Sequence, residues 1–177
     1  MKARRTIAIA AASFLGGISV ATAAEVHAEM RQATPSGPGD LLGTVTISDS
    51  ASGVVFKTAL KGLPPGLHGF HVHEKGSCQP STADGKLMPA GGAGGHYDPQ
   101  QTGKHEGPSG AGHLGDLPVL QVTADGTSNQ SLTAPHIRHA EELHGKSLII
   151  HAGGDNYSDQ PLPLGGGGAR IACGLID

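Results

Sequence analysis

With 29 glycines and 12 prolines among 177 residues, nearly a quarter of the chain favours turns and irregular backbone, which excludes an architecture of long helices. Aromatic residues make up only 3% and hydrophobic residues 37%, a composition that suits one small-residue β core and argues against a multidomain enzyme. Charged residues are 15%, the formal net charge is −3, and histidine alone contributes 11 residues, so histidine is where function is to be sought.

In chain order, Met1 to Arg5 give a basic start, Ile7 to Val20 are mostly apolar, and Ala21, Thr22 and Ala23 form a small-residue cleavage site. Residues 1–23 therefore read as a secretory signal peptide. The apolar run is shorter than the roughly 20 residues a membrane span needs, and Ser13, Gly16, Gly17 and Ser19 interrupt it, so no stable span is expected. Removing this segment, with Lys2, Arg4 and Arg5, leaves 154 residues and takes the net charge to −6. No cluster of Lys or Arg survives to grip phosphate, which excludes nucleic acid and anionic membranes as partners. In an oxidising compartment the two cysteines, Cys78 and Cys173, are expected to pair.

Residues 24–38 (AEVHAEMRQATPSGP) are expected to form a flexible leader, and residues 39–177 the folded domain. From Leu42 the chain reads as β: Val45 and Ile47 alternate with Thr44, Thr46 and Ser48, and Asp49 to Gly53 turn it into Val54 to Leu60. Gly62 to Gly66 make the next turn, and Leu67 to His73 form another strand. Further strands are expected at Leu117–Thr123, Gln130–Ala134, Ser147–Ala152 and Ala169–Ile176, with a turn at Asp125 and Gly126. His136 to His144 has room for a short helical turn, which Gly145 stops.

Two stretches, 74–115 and 153–168, exceed the roughly 12 to 15 residues that compact domains leave unstructured without a functional reason. His71 and His73 stand two apart on a strand and so share a face, which makes half of a nitrogen-rich metal site. His96, His105, His113 and Asp116 follow in the first Gly-rich loop, whose glycines let it fold tightly enough to converge them. His151 ends the apolar strand SLIIH where the second loop begins. A lone histidine is more often structural than a ligand, but this many around two loops indicates bound metal.

The segments GLHGFHVHEKGSC (Gly66 to Cys78), GGHYDPQQTGKHEGPSGAGHLGDLPVL (Gly94 to Leu120) and IIHAGGDNYSDQPLPLGGGGARIACG (Ile149 to Gly174) resemble the bacterial periplasmic copper/zinc superoxide dismutases. The resemblance implies an all-β, eight-stranded Greek-key β-barrel, flattened and sandwich-like, with two long functional loops. It implies one copper and one zinc per subunit, in the periplasm, in a monomer or homodimer. Copper would sit on His71, His73, His96 and His151, and zinc on His96, His105, His113 and Asp116, with His96 as the bridge. Imidazoles in tetragonal array suit Cu(II), three imidazoles and a carboxylate suit tetrahedral zinc, and only an imidazole can offer two nitrogens to two ions. Asp155 would link His71 to His105, its plainer alternative being an Asx turn in GGDN.

The implied reaction converts superoxide to oxygen and hydrogen peroxide, with copper cycling between two oxidation states. His96 would act as ligand and proton carrier, and Arg170 would attract and orient the anion. His68 is expected to be structural, His136, His139 and His144 solvated, and His27 has no assigned role. Lys75 and Lys86 are candidates for steering the substrate, without an assignment to either. A periplasmic copper buffer or chaperone with the same fold is the competing function, but it would not need the bridge, the full zinc set and Arg170 together. A β domain that only adheres to a partner would leave the histidines unexplained.

Overall fold

The computed structural model describes residues 25–83 and 85–177, so the signal peptide read at residues 1–23 lies outside the described residues. Val26, Ala28 and Met30 are buried while Glu25, His27 and Glu29 face outward, and this period of two builds β1 (Glu25–Thr34). β1 pairs antiparallel with β2 (Gly37–Ser50) from Glu25↔Ser48 to Thr34↔Gly37, and with the last strand of the chain at Arg31↔Cys173. The flexible leader expected over residues 24–38 is thus corrected: most of it is a central barrel strand. Its inward residues include Ala28 and Met30, which carry little β preference, so the alternation is weakly marked in the sequence. The β1–β2 register shifts after Met30, and Gly43 there adopts φ +137°, where a Cβ would strike the Ala59 carbonyl oxygen.

β3 (Gly53–Leu60) turns Val54, Phe56, Thr58 and Leu60 into the barrel. The strand expected over Leu67–His73 is broken into β4 (Gly66–His68) and β5 (Phe70–His73) at Gly69. Gly69 donates its N–H to the Gly153 carbonyl and accepts from His151 N–H, so the second loop pulls the strand apart at that residue. The first long loop holds a small hairpin, β6 (Ser81–Ala83) and β7 (Lys86–Met88), which the sequence reading left as loop. The remaining strands are shorter than expected: β8 (Leu120–Val122), β9 (Ser131–Ala134), β10 (Ser147–His151) and β11 (Arg170–Leu175). Between β9 and β10 a single 3-10 turn covers Ala140–Leu143.

The main sheet runs β5-β10-β11-β1-β2-β3-β9, and β4 pairs with β8 to close it. Taking the kinked β4–β5 segment as one staff and setting the β6–β7 hairpin aside gives the eight-stranded Greek-key barrel. Met30, Ile47, Phe56, Phe70, Leu120, Ile137, Leu148 and Ile150 fill it, with Phe56 edge-on to Phe70 at 6.1 Å between ring centres. Among the described residues no helix is long and apolar enough to cross a membrane.

Two devices place the loops that matter. Along the edge of β5 not taken by β10, the first loop adds backbone bonds from Val72 N–H to Gly115 O, Tyr97 N–H to Val72 O and Glu74 N–H to Gly95 O, at 2.8 to 3.0 Å. The disulfide Cys78–Cys173, as expected, joins this loop to β11 with a Cα–Cα distance of 5.7 Å. Beside it the buried Ser147 hydroxyl donates to the Lys75 carbonyl and accepts the Ser77 N–H at 3.0 Å.

Candidate metal centre

Ligand convergence follows directly from the pairing around β5. His71 and His73 leave β5 together, His151 enters from the adjoining end of β10, and the loop registered on the other edge of β5 brings His96 and Asp116 alongside, as isolated bridges His73↔His96 and His71↔Asp116. All five side chains are buried, as is His105. Ring centres of His71 and His96 lie 4.0 Å apart, His71 and His151 5.0 Å, and His73 and His96 5.0 Å.

Each imidazole spends one nitrogen on an oxygen. His71 Nε2–H donates to Asp155 Oδ2 at 2.7 Å, His73 Nδ1–H to the Gly94 carbonyl at 2.9 Å, His151 Nδ1–H to the Gly168 carbonyl at 3.1 Å, and His105 Nε2–H to Asp155 Oδ1 at 2.7 Å. Those bonds fix the tautomers and leave the opposite nitrogens bare. Among the described residues, the buried side-chain nitrogens and oxygens without a hydrogen-bond partner are His71 Nδ1, His73 Nε2, His96 Nε2, His105 Nδ1, His113 Nδ1 and His151 Nε2. Buried polar atoms are ordinarily satisfied, so six orphans, all imidazole nitrogens and all in one place, indicate positions shaped for metal ions.

The bare atoms fall into two groups. One atom each of His71, His73, His96 and His151 lies within 4.8 Å of the others, and the same holds for His71, His96, His105 and Asp116. In the second group His71 takes the place expected of His113. His113 nonetheless turns its Nδ1 to within 3.4 Å of Asp116 Oδ1, next to His96 Nδ1 at 2.8 Å from the same oxygen and His105 Nδ1 at 3.0 Å from Oδ2. The Asp116 carboxylate thus faces one nitrogen from each of His96, His105 and His113. His71 and His96 belong to both groups.

Electrostatics agrees with the geometry for the group of four histidines. Burial lowers the pKa of His71, His73, His96 and His151, His96 to about 4 and His151 to about 3, so these rings stay neutral with their lone pairs available. Burial also opposes a charge on His105, but the Asp116 and Asp155 carboxylates outweigh it and carry its pKa up to about 9. The same imidazoles hold both carboxyls well below the ordinary range despite burial, which leaves two anions facing the histidines. Asp155 also accepts the Tyr157 N–H at 2.7 Å, so its Asx turn and its bridge between two imidazoles coexist.

Arg170 is partly buried and aims Nη1 at the Ala90 carbonyl (2.7 Å) and Nη2 at the Gly94 carbonyl (2.6 Å), the same oxygen that holds His73. The guanidinium is thereby fixed beside the group of four histidines. His68 gives both ring nitrogens to carbonyls, of His151 and Pro64, each at 2.8 Å. His136, His139 and His144 are exposed; His139 meets Asp49 at 3.1 Å, and His27 meets Glu25 at 3.3 Å. Lys75 lies 3.8 Å from Glu74, and Lys86 is exposed on β7. Sequence reasoning missed the carbonyls of Gly94 and Gly168, which orient ligands and the arginine; backbone acceptors leave no trace in residue types.

A fold and a cluster of this kind define a metalloprotein of the dismutase type. The family model described as copper/zinc superoxide dismutase (SODC) matches residues 41–176, and the chain belongs to that family. It is 56% identical over 156 residues to the superoxide dismutase [Cu-Zn] of Escherichia coli K12, covering 88% of this chain and 90% of the relative. A structure of the Cu/Zn superoxide dismutase from Brucella abortus superposes with a TM-score of 0.86 at 52% identity, covering 87% of this chain and 100% of the other. The solution structure of the monomeric copper, zinc superoxide dismutase from Salmonella enterica gives 0.78 at 55%, again over 87% and 100%.

Proposed function

We propose that the chain converts superoxide to oxygen and hydrogen peroxide at a copper and a zinc ion joined through His96. The observation that carries this reading is the set of six buried imidazole nitrogens without partners, grouped around His96 and Asp116. His71 Nδ1, His73 Nε2, His96 Nε2 and His151 Nε2 would hold copper; His96 Nδ1, His105 Nδ1, His113 Nδ1 and the Asp116 carboxylate would hold zinc. When bound, copper supplies a one-electron couple that two superoxide ions reduce and reoxidise in turn, while zinc has no redox change.

The chain's own residues do the rest. Arg170, fixed by two carbonyls, gives the anion a positive charge and spare N–H donors to align on. His96 Nε2, which has no partner in the protein, would carry one of the two protons that superoxide needs to become hydrogen peroxide, and water would supply the other. Asp155 holds the His71 and His105 rings with their Nδ1 atoms turned toward the positions the two ions would take. The segment at residues 1–23 and the disulfide support export to the periplasm, and because every proposed ligand lies on one chain, a monomer suffices for activity.

Metal analysis of the mature protein, joined to a superoxide-consumption assay, tests the reading. One copper and one zinc per chain with fast turnover is expected. Both metals bound without turnover would overturn it in favour of a copper buffer.

A further inference from the structure

The loop after His151 grips the loop carrying His105 at a point that no proposed ligand uses. Asp159 Oδ2 accepts the backbone N–H of His105 at 2.9 Å, and its Oδ1 accepts the N–H of Leu164 at 3.2 Å. Leu164 sits at φ +54°, an uncommon conformation for a residue with a side chain, so a fixed partner for its N–H matters. Next in the chain is Gly165, at φ +70°, where a Cβ would collide with Asp155 Oδ1 and lie 2.8 Å from His105 Nε2. One carboxylate therefore fixes the backbone of His105 on one side and, on the other, the turn that abuts the contact between the Asp155 carboxylate and the His105 ring.

A second fastening lies nearby. The ring of Tyr157 covers Gly107, where a Cβ would lie 2.6 Å from its Cγ, and its Oη accepts the Val119 N–H at 3.0 Å. With Tyr157 holding the far side of the loop, Asp159 is left controlling the ligand itself.

We propose that Asp159 is a positioning residue for His105: it acts through the backbone to set how tightly zinc is retained, and leaves the copper side largely untouched. The inference rests on the reading of His105 as a zinc ligand. Of the copper-side histidines, His73, His96 and His151 make no bond with Asp159 or Asp155, and His71 is reached only indirectly, through Asp155.

The test uses the metal-loaded full chain and its Asp159→Asn and Asp159→Ala variants, and measures zinc transfer to an excess of chelator beside copper affinity. Zinc affinity should fall about 10-fold in the alanine variant, at the lower end of what residues supporting a ligand contribute, with copper affinity changing less than about threefold. The asparagine variant, which keeps one acceptor oxygen, should fall between, and cobalt placed in the zinc site should show shifted visible bands in both. His105→Ala, run in parallel, should lose zinc outright; its keeping zinc would overturn the zinc reading and this inference with it. If His105→Ala loses zinc while both Asp159 variants release it at the wild-type rate, the positioning role alone is overturned. Equal losses of zinc and copper with a lower metal-free melting temperature would make Asp159 a fold residue, and also overturn the proposal.

Discussion

His68 and His71 are three residues apart and almost completely buried, yet their rings serve different ends. The difference lies in what faces the second nitrogen. Both nitrogens of His68 meet carbonyl oxygens, so the ring is consumed in tying the start of the β4–β5 segment to the end of β10. His71 spends Nε2 on Asp155 and keeps a bare Nδ1. Spacing along a strand shows that His71 and His73 share a face, but it cannot tell a satisfied imidazole from a bare one, because backbone carbonyls such as those of Pro64 and His151 carry no mark in residue type. At His96 the consequence is greatest, since its Nε2 is bare among the four histidines while its Nδ1 meets the Asp116 carboxylate at 2.8 Å. His96→Ala should lower superoxide turnover at least 100-fold, beyond the roughly 10- to 100-fold that residues supporting a ligand command, while His144→Ala, at an exposed position, should stay within about twofold. Parallel rate measurements at equal protein concentration decide it, and substantial activity in His96→Ala would remove the bridge.

Elements were legible in proportion to how strongly their own residues marked them. The alternation of Val45 and Ile47 with threonines located β2 only from Leu42 onward, missing its first five residues, while the apolar run before His151 located β10 to within one residue. β1 escaped because small Ala28 and flexible Met30 blur its period, and the Pro and Gly that follow resemble a linker, although they form the turn into β2. The break at Gly69 escaped as well, since its cause is hydrogen bonding with Gly153 and His151. β1 as a core strand makes a definite prediction. Met30 is fully buried, so Met30→Ala should cost about 3 kcal/mol, a fall of about 10 °C in melting temperature, whereas Glu29→Ala on the outer face should move it by less than about 2 °C. Calorimetry of the two variants checks this; an unchanged melting temperature for Met30→Ala would return the segment to a leader.

At the scale of the whole molecule, the barrel is a frame that holds two loops against the β4–β5 segment. Residues 78 and 173 are 95 apart in sequence, and a cross-link closing a loop near that length is worth about 4 to 5 kcal/mol on the chain-entropy account. The disulfide also ties the first loop to the strand that starts at Arg170, so the ligand loop and the arginine are held by one fastening. Overall charge works the other way: the chain is net negative, so attraction of a superoxide anion has to be local. Arg170 is the cation fixed beside the four histidines. Arg170→Ile keeps every proposed ligand, and the Gly94 carbonyl keeps its bond from His73, so copper and zinc content should be unchanged. Turnover should drop roughly 10- to 100-fold, within the range over which local charge raises association rates in this class of enzyme itself. Arg170→Lys should fall between, keeping the charge but losing the planar fork of donors. Salt separates steering from mere shape, because screening near 0.1 M acts over about 10 Å and weakens only an attraction that is present. Raising ionic strength should therefore slow the wild type more than Arg170→Ile, and equal salt dependence in the two would show that Arg170 does not draw the anion in.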